Sequence, residues 1–163
     1  MTKKTLRGFS LALFLSFYSL PLYSAETFQL SVKSSSNGNV VLKPKKDFTI
    51  VNFWASWCTA CGLELQEFGE KLPAHLYTGK VDLWLIALDS TIKTAEDSKH
   101  VPAELKSFVY YDPEMKTADK FNLSSFPATF VLDKDGKIIY RHNGYTPADK
   151  VSEQIIATVQ KKK

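Results

Sequence analysis

The sequence predicts an α/β fold in which helices flank a central sheet. Three observations predict it. Phe48 to Trp54 is an almost unbroken apolar run, the pattern of a strand covered on both faces by helices. Helical periodicity begins directly after it, and a second buried run, Val81 to Leu88, follows. Towards the C-terminus, Ala128 to Asp133 and Lys137 to His142 flank Lys134-Asp135-Gly136, a hairpin signal. At 163 residues, 44% of them hydrophobic, the chain has length for one domain with a real core.

Residues 1–25 differ in kind from the rest. Lys3, Lys4 and Arg7 precede an apolar run from Phe9 to Leu20, Pro21 breaks it, and Ser24-Ala25 offers small residues for cleavage. This is the build of a secretory signal peptide, with an uncleaved membrane anchor as the other reading; the run is shorter than the roughly 20 residues a span needs. A lipid-anchored cysteine is excluded, because no cysteine stands near the cut. Taking the three basic leader residues from 21 leaves 18 basic against 17 acidic residues, a balance that gives no support to a nucleic-acid partner.

Residues 26–163 form the predicted domain. Phe28 to Val32 alternates apolar with polar, Ser34 to Gly38 reads as a turn with Asn37-Gly38 suited to positive φ, and Val40 to Leu42 returns as a second strand. The central strand Phe48 to Trp54 runs into Ala55-Ser56-Trp57-Cys58-Thr59-Ala60-Cys61, which holds the chain's only cysteines. In the helix that follows, Cys61, Leu65, Phe68 and Leu72 make one apolar stripe, while Glu64, Glu67 and Glu70 lie off it. After Val81 to Leu88, Thr91 to Lys106 is a charged, helix-containing insertion. Phe108 to Tyr111 is a short strand, and Asp112-Pro113 opens a helix to about Phe121, with Asp as N-cap and Pro at N1. Beyond the hairpin, Thr146-Pro147 caps a last helix whose apolar stripe is Ala148, Val151, Ile155 and Val159.

The chemistry lies where the central strand meets the helix. A thiol at a helix N-terminus faces unpaired backbone N–H groups and the positive end of the macrodipole, which stabilise its thiolate. Cys58 is therefore the nucleophile and Cys61, one turn inside, its resolving partner. A structural bridge is the alternative, but closing a two-residue loop removes little chain entropy. Zinc would need four ligands, and with two cysteines the histidines His75, His100 and His142 would have to converge with no spacing to suggest it. They read instead as surface or loop residues, and no metal or cofactor is expected.

Val51 to Cys61 with Glu64 three residues on, together with the later Ser125-Phe126-Pro127-Ala128-Thr129-Phe130-Val131-Leu132-Asp133, resembles the thioredoxin-fold, exported thiol-disulfide reductases of the TlpA/ResA-like family. The resemblance covers roughly Phe28 to the C-terminus and implies a thioredoxin-like fold, a central mixed sheet flanked by helices, that opens on the family's additional N-terminal β-hairpin and carries a central insertion. It implies a cis Pro127 packed beside the dithiol, leaving the Phe126 backbone free to pair with an extended substrate segment and keeping metals from the sulfurs. Glu64 matches the family's active-site glutamate, a proton acceptor or pKa tuner. Asn52 stands where cytosolic thioredoxins carry a buried aspartate, and an Asn cannot titrate. Trp57 is expected to shape the docking surface and Trp54 to fill core. The chain departs from the family in Thr59-Ala60, which lacks the proline often found second, and in Gln66, where a helix-kinking proline is frequent. Such residues tune thiolate stability, and with it the direction of electron flow.

The implied function is reduction of disulfides in exported proteins such as apocytochrome c, in the periplasm or another extracytoplasmic compartment. Electrons would come from a membrane thiol carrier, and residues 1–25 would serve as leader or membrane tether. The competing functions are a disulfide oxidant or isomerase of secreted proteins, and a non-enzymatic chaperone or metal-carrier module.

Overall fold

In the computed structural model, residues 28–36, 38–73 and 79–161 are described; the segment expected to be a leader, Asn37 and His75 lie outside them. The strands β1 (Leu30–Lys33), β2 (Asn39–Leu42), β3 (Phe48–Trp54), β4 (Val81–Ala87), β5 (Val109–Tyr111), β6 (Ala128–Asp133) and β7 (Ile138–Asn143) form one sheet. Its order is β2-β1-β5-β4-β3-β6-β7. The helices are α1 (Thr59–Lys71), α2 (Ile92–Glu96), α3 (Lys116–Phe121) and α4 (Val151–Lys161), with a 3-10 turn at Ala103–Phe108. Among them no helix is long and apolar enough to cross a membrane.

The sheet is mixed: β3 runs parallel to β4 and antiparallel to β6. Every residue of β3 is buried, as its apolar run requires, because helices cover both faces. Ile50, Leu83, Leu85 and Val131 pack with Leu65 and Phe68 of α1 and with Val151 and Ile155 of α4. Val51, Phe53, Trp84, Ile86 and Phe130 pack on the opposite face with Phe121 of α3 and with the hairpin residues Leu30 and Val32. Each such side chain contributes about 1.5–3 kcal/mol of hydrophobic free energy when fully buried. The N-terminal hairpin is present, β1 pairing antiparallel with β2 and meeting β5 at Lys33 and Tyr111. The insertion carries α2 and the 3-10 turn.

Three local expectations are corrected. Gly38 does not take a positive φ; the turn is closed by the Ser34 N–H, which donates to the Gly38 carbonyl at 2.9 Å. The helix expected from Asp112-Pro113 starts at Lys116, after Met115 turns into the left-handed region at φ 55°. Asp112 still caps it, but from farther back: its carboxylate accepts from the Lys116 N–H at 3.2 Å and the Thr117 N–H at 2.6 Å. Thr146-Pro147 does not cap the last helix, which begins at Val151 after Lys150 at φ 50°, and Ala148 is exposed. The N-terminal donor of that helix is met from α1 instead, where Glu67 accepts from the Ser152 N–H at 3.0 Å.

Candidate active site

The strand-to-helix junction sets out the pair as the apolar run and helical spacing require. Cys58 is the N-cap of α1. It is joined to Cys61 by a disulfide with Cα atoms 5.2 Å apart. Cys58 is 8% exposed, whereas Cys61 has no exposed surface. The Cys61 N–H points at the Cys58 Sγ, 3.2 Å away, so the donor that would stabilise a Cys58 thiolate is already aimed at it. The loop ahead of the pair is held from the segment just after β4: the Asp89 carboxylate accepts from the Ser56 N–H at 3.0 Å and from its hydroxyl.

Beneath the bridge lies Glu64, and here the helical stripe misleads. Glu64 is not a solvated charge off the apolar face; it has no exposed surface. It descends onto one rung of the sheet, in which Leu85, Asn52, Thr129 and His142 are successive register partners across β4, β3, β6 and β7. The Asn52 amide donates to Glu64 Oε2 at 2.6 Å and to Thr129 Oγ1 at 2.8 Å. The Thr129 hydroxyl donates to Glu64 Oε1 at 3.1 Å. Burial pushes the Glu64 carboxyl up to about 8; the bonds from Thr129 and Asn52 pull it down, and the charges of Glu67 and Asp149 push it up.

The Phe126–Pro127 peptide bond is cis, and Ala128, next in sequence, pairs with Phe53 near the end of β3. This seats the proline loop against the strand that delivers the cysteines. Trp57 is 69% exposed and meets the half-buried Phe126 ring edge-on, with centroids 6.0 Å apart, while Trp54 is fully buried. An exposed tryptophan backed by a half-buried phenylalanine beside the bridge offers apolar contact area at low entropic cost. Among the described residues no cluster of three or more His, Cys, Asp or Glu is placed to hold a metal.

The structure thus brings Cys58, Cys61 and Glu64 to one end of α1, with Trp57, Phe126 and Pro127 alongside. Sequence reasoning missed Thr129, Asp89 and Glu67 as polar partners. Only Thr129 carried a signal, two residues past a proline expected beside the dithiol.

A family model described as a thioredoxin-like domain matches residues 38–159. Thiol-disulfide oxidoreductase ResA of Bacillus cereus is 28% identical over 111 residues, covering 68% of this chain and 61% of the relative. The thioredoxin-like protein YneN of Bacillus subtilis is 34% identical over 137 residues, covering 80% and 75%. A crystal structure from Chlorobium tepidum, assigned as a thiol:disulfide interchange protein DsbE, superposes with a TM-score of 0.66 at 24% identity, over 82% of this chain and 94% of that one. The chain spans 50% to 65% of the length of the ResA proteins it matches. With the fold, the Cys-x-x-Cys at the start of α1 and the cis proline in place, this chain belongs to the thioredoxin-like domain family.

Proposed function

We propose that the chain is a thiol-disulfide oxidoreductase of the extracytoplasmic compartment that reduces disulfides in exported proteins, apocytochrome c among them. Residues 1–25 direct export or tether it, and a membrane thiol carrier supplies its electrons. One observation carries the reading: a cysteine pair at a helix N-terminus above a carboxyl group that is wholly buried and held at about 8. The names of the ResA and DsbE relatives support the reaction class.

In the reductive half-cycle the Cys58 thiolate attacks a partner disulfide. One partner sulfur leaves as a thiolate with the bond's electron pair, and a mixed disulfide forms. The Cys61 thiol gives its proton to ionised Glu64 and attacks the Cys58 sulfur; the second partner sulfur leaves, and the bridge closes. The partner gains two electrons and the enzyme loses them. When a donor thiolate reopens the bridge at Cys58, Cys61 leaves and takes the proton back from Glu64. A carboxyl at about 8 is protonated in the bridged form at neutral pH, so it is set to act as that acid. Trp57 and Phe126 supply the apolar docking contact, and the Phe126 backbone beside cis Pro127 pairs with an extended substrate segment.

The test is kinetic and electrochemical. Partner release from Cys58 should slow by about 10²-fold in Glu64→Gln, the lower end of general-base effects, while the first attack by Cys58 is unchanged. A reduction potential well above the glutathione range would move the function to the oxidant reading.

A further inference from the structure

We propose that His142 is the group through which the buried Glu64 exchanges its proton with solvent, by way of the Thr129 hydroxyl. The inference rests on the reading of Glu64 as acid–base partner of Cys61 and adds a route to it. Neither Cys61 nor Glu64 has exposed surface, so a proton taken from the thiol cannot pass directly to water. The hydrogen bonds on the Glu64 side chain come from Asn52, which cannot titrate, and from Thr129. A hydroxyl both accepts and donates, so Thr129 is the exit.

Thr129 stands opposite His142 in the β6–β7 register, and Val131 stands opposite Tyr140 two residues along. Directly opposed residues share a face, with Cβ atoms about 4.5–5.5 Å apart. That face is the one under α1, because Val131 packs with Leu65 and Phe68. His142 Nε2 is enclosed, has no hydrogen-bond partner, and lies 3.6 Å from Asp149 Oδ2. The side chains of His142 and Asp149 are 22% and 31% exposed. The part-exposed imidazole therefore stands at the outer end of the buried rung, with an unused ring nitrogen beside a carboxylate.

The other ionisable groups around this route are placed not to compete. Glu67 of α1 is occupied by Ser152 and by the Tyr145 hydroxyl at 2.7 Å. Burial pushes the phenols of Tyr140 and Tyr145 up, so they keep their protons. The backbone N–H of Thr146 holds Asp149 low, as a carboxylate. His142 acts through Glu64 and Thr129 and touches no reacting sulfur; it is a positioning and relay residue.

The full-length protein, loaded with a peptide as a mixed disulfide on Cys58, is followed through peptide release across pH in weak buffer. His142→Gln should release the peptide about ten-fold more slowly near neutrality, a modest share of the 10²–10⁴ attributable to proton transfer, and added imidazole should restore the rate. Attack by Cys58, measured in a Cys61→Ala background, should not change. Asp149→Asn should show a smaller loss with the same imidazole response, and it serves as the readout if His142→Gln does not fold. An unchanged rate, or a loss that imidazole does not restore, overturns the relay and leaves His142 to pin the loop before α4. If Glu64→Gln is slow while both outer variants match the parent, the relay alone fails. If Glu64→Gln is itself unchanged, the reading of Glu64 fails with it.

Discussion

Glu64 sits at the balance between desolvation, which opposes its charge, and two donated hydrogen bonds, which favour it, and that balance has a signature in stability. Its value of about 8 in the folded protein stands above the ordinary 4.5. Between those two pH values the folded state keeps a proton that the unfolded chain has lost, so stability falls as pH rises through the window. Glu64→Gln, which mimics the protonated form, should be more stable than the parent at pH 8 by roughly 2–5 kcal/mol, at about 1.4 kcal/mol per pH unit, with the difference closing near pH 4. Denaturant melts at the two pH values measure it; equal stability at both would remove the buried, proton-holding carboxyl. At this scale the cysteines and the spacing of Glu64 were legible, since both depend on local order along one helix. The surroundings of Glu64 were not, because Asn52 and Thr129 reach it from two strands that only the sheet brings together.

Helix α1 explains why the stripe reading failed. Counting one apolar face assumes that one face is covered, and the sheet does cover Leu65 and Phe68. The insertion covers a second face. A Cβ on Gly62 would lie 2.6 Å from His100 Nδ1, and one on Gly69 would lie 2.8 Å from the Pro102 ring. Two glycines seven residues apart therefore let the insertion lie against the helix backbone and bury Gly62 and Gly69, while Glu64 is buried on the sheet side by Asn52 and Thr129. Gly62→Ala should cost about 1–3 kcal/mol through overpacking, read as a lowered midpoint in thermal melts. A midpoint at or above the parent's, from the better helix propensity of alanine, would show that the insertion gives way freely. The missed helix starts have a different cause: the donors at Lys116, Thr117 and Ser152 are met by Asp112 and Glu67, which lie outside the local caps. The Lys134-Asp135-Gly136 turn was legible because its demand is local, a glycine at φ 80°.

Across the whole molecule, topology puts the reactive bridge at the end of the most buried strand. β3 lies between β4 and β6, so its neighbours supply the Asp89 clamp on one side and the cis-proline loop on the other. The order of strands and helices was legible from the two continuous apolar runs and the hairpin, which outweighed the errors at helix ends. What the sheet adds is the rung from Asn52 through Thr129 to His142, a lateral arrangement that no reading along the chain contains. The central claim is that Cys58 is the attacking sulfur and Cys61 the resolving one, and mass analysis of Cys61→Ala after reaction with a disulfide-bonded peptide tests it most directly. The account predicts a lasting one-to-one adduct on Cys58 that the parent protein resolves; the absence of any adduct, or its release at the parent's rate without Cys61, would contradict it.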